Sequence, residues 1–317
     1  MKKVQLGNTR LKVSRIGMGV MPIGPNQLSL PLDEGADIVR YALESGIDFL
    51  DTAQYYHTYS YIREALKGKG FEPVISSKSL SHDYDGMTAA VEEARSSMDR
   101  DVIDIFLLHE VRSGNLPQRK GAWEALNDAK AKGRIKAIGI STHNIDVTEQ
   151  IADVKECDVV FPLINYAGLG IRRGSEAGTA EEMLSAIEKC KNNGKGIYAM
   201  KAFGGGNLTV TYQKALDFVC SKPYIDSVMI GFGSRADIDD IVSYTEGTMP
   251  PDYNPDVSKK RLLVEESNCE GCGRCMTMCE SEALFFNERG LAEIDRIKCL
   301  TCGYCAPVCP SRAIIMY

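Results

Sequence analysis

Ile103-Asp-Ile-Phe-Leu-Leu-His109, followed by the amphipathic run 121–132 and then Ile135-Lys-Ala-Ile-Gly-Ile-Ser141, is the stretch that decides the fold. Two short apolar runs rich in β-branched residues flank a segment of helical length, which reads as strand, helix, strand. The same unit recurs on both sides. Strands are expected at 14–18, 47–51, 73–78, 159–164, 196–201 and 226–231, with helical patterns such as 35–45, 87–98 and 180–192 between them. Within 87–98, Met87, Ala90, Val91, Ala94 and Met98 fall on one helical face. Eight such units across residues 13–245 imply an α/β fold, a (β/α)8 TIM barrel. A doubly wound open sheet is the alternative, and the lack of a Gly-rich dinucleotide turn after the first strand counts against it.

Polar residues close these runs. Asp51 ends the second strand, Lys78 the third, His109 the fourth, Ser141 the fifth and Lys201 the seventh. Barrel strand ends converge on one mouth, where such residues read as catalytic. One alone would be a cap or an ion pair; five together point to chemistry.

The C-terminal residues carry a different chemistry. Cys269, Cys272, Cys275 and Cys279 form one C-x2-C-x2-C-x3-C run, and Cys299, Cys302, Cys305 and Cys309 form a second. This is [4Fe–4S] spacing, in which three close thiolates wrap one cluster and the fourth reaches the other. Cys269, Cys272, Cys275 and Cys309 are therefore assigned to one cluster, and Cys299, Cys302, Cys305 and Cys279 to the second. Residues 269–286 also realign on 299–316, with Gly273 over Gly303, Ser281 over Ser311 and Ala283 over Ala313. Zinc usually takes two well-separated cysteine pairs, and disulfides need an oxidising compartment. Cys157, Cys190 and Cys220 stand alone and read as small buried residues. The segment 262–317 resembles the bacterial two-[4Fe–4S] ferredoxins, with Glu280 where that family usually has proline. Residues 247–261 carry three prolines and end in three basic residues, which reads as a linker between a barrel at 1–246 and this module.

The barrel segment resembles the aldo-keto reductases over about residues 5–245, and the whole chain their ferredoxin-containing branch. Leu6–Gly19 is similar to their N-terminal hairpin and first strand. Gly46-Ile-Asp-Phe-Leu-Asp-Thr-Ala-Gln-Tyr-Tyr56 is similar to their motif G-x-x-x-x-D-T-A-x-x-Y. The resemblance implies a catalytic tetrad of Asp51, Tyr56, Lys78 and His109. Tyr56 would donate a proton to a carbonyl oxygen as the carbon receives hydride. Lys78 is expected to depress the Tyr56 pKa and Asp51 to hold Lys78 charged, with His109 beside the substrate oxygen. The alternative is that Tyr55 faces the pocket.

The nicotinamide pocket departs from the family pattern. Ser141-Thr142 replaces the usual Ser-Asn, Leu163 stands where a glutamine is usual with Asn165 nearby, and Met200 takes the place of a stacking aromatic. Phosphate is expected at Gly204, Gly205 and Gly206 beside Lys201, and at Gly231, Gly233 and Ser234 with Arg235. Hydride moves two electrons and a cluster one, so coupling NAD(P)H to the clusters calls for a flavin at such a site.

Three functions follow: an NAD(P)H-dependent reductase of a small carbonyl substrate; a cluster-driven reductase fed by an external donor protein; and an electron carrier or redox sensor without catalysis. The net charge of −6 argues against nucleic acid, and no apolar run reaches membrane-span length. The start lacks a signal-peptide core, so a cytoplasmic location is expected. His57, His82 and His143 are lesser pocket candidates, and Trp123 reads as helix packing.

Overall fold

The computed structural model describes residues 1–255, 261–279, 281–299, 303, 305, 306 and 308–317. Eight parallel strands close a barrel. They are β1 (Ile16–Gly19), β2 (Phe49–Asp51), β3 (Val74–Ser79), β4 (Ile103–Leu108), β5 (Ile135–Thr142), β6 (Val159–Pro162), β7 (Gly196–Ala199) and β8 (Ser227–Gly231). Each is followed by a helix: α1 (Leu32–Glu44), α2 (Tyr59–Leu66), α3 (Tyr84–Ser97), α4 (Lys120–Ala131), α5 (Ile145–Ile151), α6 (Ala180–Asn192), α7 (Tyr212–Cys220) and α8 (Arg235–Glu246). All eight expected strands lie in the barrel. The seventh stops at Ala199, two residues short of the expected Lys201, which turns into the left-handed region at φ 57°.

Strand parity sorts the side chains. Phe49, Ile105, Leu107, Phe161 and Tyr198 fill the barrel interior, while Leu50, Phe106, Leu108, Val160 and Ile197 face the helices. The antiparallel pair Lys3–Gln5 and Lys12–Ser14 adds Leu6, Leu11 and Val13 to the interior cluster. The Phe161 and Tyr198 rings stack at 4.2 Å, and the Tyr198 hydroxyl meets Ser76 Oγ at 2.7 Å. This layer is the floor beneath the mouth. Trp123 is half-buried against the helix-side core, as its pattern implied.

The C-terminal segment forms two small antiparallel sheets, β9 (Leu262–Val264) with β12 (Ile314–Met316), and β10 (Leu284–Phe286) with β11 (Ala292–Ile294). Its internal repeat is structural as well as sequential. Glu282 and Arg312 have φ of 51° and 52°, and the Ala283 and Ala313 amides donate to Cys279 and Cys309 Sγ at 3.2 and 3.3 Å. This module sits on the barrel mouth. Met316 N–H donates to Gly205 O at 2.7 Å, Lys201 pairs with Glu265 at 3.0 Å and Arg172 with Glu270 at 2.6 Å. Among the described residues no helix is long and apolar enough to cross a membrane.

Candidate active site

Parity carries Asp51 and Lys78 to the inner rim. Lys78 Nζ donates to Asp51 Oδ2 at 2.6 Å and to Thr52 O at 2.8 Å. Both side chains are almost fully buried. Burial pushes the Asp51 carboxyl up and the Lys78 ammonium down, and their contact opposes both shifts. A contact this short is charge-assisted, so the pair stays ionic. Lys78 Nζ also lies 4.9 Å from the Tyr56 ring centre and 5.2 Å from that of Phe161. The His109 ring stands edge-on to Tyr56 at 5.6 Å. The structure therefore brings Asp51, Tyr56, Lys78 and His109 together. Tyr55 is 40% exposed and has no ring contact with this group.

The expected depression of Tyr56 does not occur. Burial holds its phenol well above the ordinary value, and the charges of Asp51, Glu265 and Glu110 push the same way. Burial of the phenol outweighs the help that the Lys78 ammonium can give. Tyr56 is thus a protonated phenol at neutral pH.

His109 and His143 are held well below the ordinary histidine range. Burial is the main cause for each. The charges of Lys78 and Arg119 act further on His109, and those of Lys201, Arg112 and Arg172 on His143. Both rings are recessed in the mouth yet still reach solvent through it. Between their folded values and about 6.5, only the unfolded chain carries these protons. Stability is therefore flat above about pH 6.5 and falls as pH drops below it. His143→Gln should reduce that loss by about half, because about one of two protons is removed from the linkage. Melting of the barrel's circular dichroism between pH 5 and 7.5 checks this, and parallel curves for variant and parent would refute it.

Arg119 is a buried residue beside the site that the sequence did not reveal. It is 1% exposed. It donates to His109 O at 2.6 Å, to Ser79 O at 2.8 Å and to Ser81 O at 3.1 and 3.2 Å. One guanidinium thus ties the end of β3 to the start of the loop after β4, where His109 stands. Burial lowers its pKa to about 10, so it remains charged. A lone arginine in a polar loop carries no sequence signal of this; only the burial of three carbonyls around it does.

A cavity of about 330 Å³ lies between the barrel mouth and the module, and none of the four tetrad residues lines it. Arg112, His143, Asn144 and Arg172 line it from the barrel, and Asn268 and Ser311 from the module. Of the lesser histidines, His143 lines this cavity, while His57 and His82 are exposed.

The aldo/keto reductase family profile matches residues 15–223. The chain belongs to the aldo/keto reductase family. A 4Fe-4S dicluster domain profile matches residues 259–313. L-galactose dehydrogenase of Arabidopsis thaliana is 27% identical, over 64% of this chain and 66% of that enzyme. The chain thus spans just under two thirds of that relative. The uncharacterized oxidoreductase YqkF of Bacillus subtilis is 23% identical, over 73% of this chain and 87% of YqkF. Aldo-keto reductase AKR11C1 of Bacillus halodurans superposes with a TM-score of 0.63 at 21% identity, over 78% of this chain and 91% of that one, which shows the shared fold. This chain is an aldo-keto reductase-like oxidoreductase with an iron–sulfur domain.

The residues expected to hold a nucleotide in this family are engaged elsewhere. Ser141 Oγ accepts Glu110 N–H at 2.8 Å, and Thr142 donates to Val111 O at 2.6 Å. Asn165 is fully buried, its amide closed on Leu169 N and O at 2.9 Å each. Leu163 and Met200 form an isolated bridge between β6 and β7. Lys201 is bound to Glu265, Gly205 and Gly206 lie under the module, and Gly204 packs on Leu169 and Leu208 of the barrel. Gly231 packs on Pro22. Gly233 and Ser234 give their amides to Asp237 Oδ2 at 2.9 and 3.0 Å, and Arg235 is clamped to Asp37 at 2.6 and 2.9 Å.

The cysteines of the aldo-keto reductase's module gather in its small core. Cys275, Cys305 and Cys309 are buried, with Cys269, Cys279 and Cys299 packed beside them, while Cys272 is exposed. Cys302 and Glu280 lie outside the described residues. Among the described residues no three metal-ligating side chains are closed around one point. Backbone amides nonetheless point at the sulfurs, including Ala292 N–H to Cys269 Sγ at 3.3 Å, which is how a polypeptide holds thiolate ligands. Cys157 and Cys190 are buried in the barrel wall, where burial pushes each thiol up to about 12.

Proposed function

We propose that the chain reduces the carbonyl group of a polar small molecule at the barrel mouth, with Tyr56 as proton donor. The observation that carries this reading is Tyr56 held between His109 and the Lys78–Asp51 pair. A substrate oxygen placed against the Tyr56 hydroxyl receives its proton as negative charge builds there. The phenolate left behind lies near the Lys78 ammonium, which favours it at that moment. Asp51 aims Lys78 and keeps it charged. His109, neutral and with Nδ1 free of any hydrogen bond among the described residues, holds the substrate oxygen in line.

The polar cavity at the barrel mouth, lined by Glu110 next in sequence to His109, supports a polar substrate. So do two relatives, named L-galactose dehydrogenase and 2,5-diketo-D-gluconic acid reductase B. In this reading residues 1–246 carry the chemistry at carbon. Residues 262–317 hold one [4Fe–4S] cluster on Cys269, Cys272, Cys275 and Cys309 and the other on Cys279, Cys299, Cys302 and Cys305. Burial raises the Cys275 thiol, and Cys309, Cys269 and Cys272 raise it further; burial raises Cys305 to about 12, aided by Cys279, Cys275 and Cys299. The Cys275 neighbours are the three cysteines assigned with it, while Cys305 has Cys279 and Cys299 of its own set and also Cys275 of the other. When bound, the clusters supply single electrons.

The test is product formation under strict anaerobiosis, from a panel of aldehydes, hydroxyaldehydes and 2-keto acids, with reduced viologen and with NADPH. Alcohol from at least one compound is expected, and no alcohol with either donor would sink the reading. Cys275→Ser should lower bound iron from about eight to about four per chain. Undiminished iron in that variant would remove Cys275 from the ligand set.

A further inference from the structure

We propose that the barrel's dinucleotide seat has become the docking seat of the chain's own iron–sulfur module. The docked protein then takes no NAD(P)H, and reduction draws on a one-electron donor. The consequence for catalysis rests on the reductase reading above; the seat itself does not.

Four parts of the barrel mouth converge on this. The first is the loop after β7, where a barrel commonly holds phosphate on backbone amides. Here that loop carries β12 instead. Met316 N–H is bonded to Gly205 O at 2.7 Å, and a Cβ at Gly205 would stand 2.9 Å from Ile315 Cγ2. Gly206 has φ 86°, and any Cβ there would overlap the Met316 carbonyl. Glycine is required at this position by the module's backbone, so its presence needs no phosphate.

The second is Lys201, which a nucleotide phosphate would want. It sits in the left-handed backbone region, at φ 57°, that a non-glycine residue enters only at a cost, and it ends on Glu265 of the module at 3.0 Å. Asn268 Nδ2 holds the same Glu265 oxygen at 2.8 Å. Third, the start of α8 already contains an anion. Asp237 takes both amides there and would repel a phosphate. Arg235 is neutralised by Asp37. Fourth, the polar groups that would read a carboxamide, Ser141, Thr142 and Asn165, are buried and hydrogen-bonded to loop backbone. The engaged loops leave a flavin phosphate no seat there either.

These are not defects left by lost function. The same mouth makes positive contacts with the module at three further places. Arg172 pairs with Glu270 at 2.6 Å, Arg112 donates to Ser267 O, and Gly170 packs on Arg312. Reduction then balances as one carbonyl group, two electrons from two molecules of a one-electron donor, and two protons. Tyr56 supplies the proton on oxygen and water the proton on carbon. The donor is of the reduced iron–sulfur protein or viologen class.

The experiment uses the full chain, reconstituted with iron and sulfide without oxygen. Calorimetric titration with NADPH and with NADH to about 1 mM, the top of the usual KM range, should show no saturable binding. Saturable binding of either one in that range would overturn the proposal. The seat is tested separately by small-angle scattering. Lys201→Glu should enlarge the radius of gyration by breaking the Glu265 contact, and the exchange Lys201→Glu with Glu265→Lys should restore it. Gly206→Val should enlarge it as well, provided iron content shows the module folded. Unchanged scattering in both Lys201→Glu and Gly206→Val would overturn the seat. Should every carbonyl in the panel fail with viologen, the reductase reading falls, while titration and scattering still decide the seat.

Discussion

Tyr56→Phe should lower turnover by a factor of about 10² to 10⁴, the usual contribution of a positioned general acid, and leave the fold unchanged. The substitution removes one oxygen and keeps the ring that lies edge-on to His109. Among the described residues no hydrogen bond from the Tyr56 hydroxyl holds another part of the chain, so stability has little to lose. The loss should fall on kcat more than on KM, because the proton is given only as charge develops on the substrate oxygen. Tyr55→Phe is the control, since its ring is 40% exposed, and it should retain nearly full activity. Steady-state rates of both variants, with product counted directly, decide the matter. Equal loss in the two, or loss in Tyr55→Phe alone, would remove Tyr56 from the donor role. The pH profile adds a second reading. With the phenol held well above its ordinary value by burial, the alkaline limb of activity should stay free of a tyrosine titration up to at least about pH 9.

Arg119→Met should destabilise the barrel by about 3 kcal/mol or more. Methionine keeps much of the stem's volume and removes every donor. The carbonyls of His109 and Ser81 then lose their partner in a buried site, while Ser79 O keeps only the His109 N–H, at about 1–3 kcal/mol for each unsatisfied group. Arg119→Lys should recover only part of this. A single ammonium cannot span three carbonyls that a planar fork reaches from one position. Thermal melting of the barrel signal measures the stability term. Activity tests positioning. His109 follows directly on β4, and its carbonyl is one of the three anchors. Arg119→Lys, if folded, should therefore lose kcat with KM little changed. A stable Arg119→Met variant with undiminished turnover would show that the guanidinium does neither job.

The barrel was legible because its signal repeats. Eight apolar runs, spaced by helical patterns, have few solutions other than a closed parallel sheet, and the strands fall where the runs do. Strand ends were read less well. The seventh strand stops before Lys201 because the chain there must turn to receive the module. The tetrad was legible for a related reason: Asp51, Lys78 and His109 end inward-facing registers, and Tyr56 lies a fixed five residues after Asp51. Its electrostatics were not. Burial sets the sign of the Tyr56 shift, and Asp51, Glu265 and Glu110 add to it, Glu265 being contributed by the distant module. Arg119 was invisible, as an arginine in a loop is ordinarily solvated and nothing in its neighbours announces three buried carbonyls.

The sequence by itself determined the two domains' kinds of chemistry. Cysteine spacing and strand-end residues are local facts, written within a dozen positions or repeated at fixed intervals. Only the tertiary structure decided what the mouth is open to. Whether Gly204–Gly206 cradle a phosphate or a strand, and whether Lys201 meets a nucleotide or Glu265, depends on where residues more than sixty positions away come to rest. Backbone amides and ammonium groups accept either partner, and proximity in the fold selects which one they get.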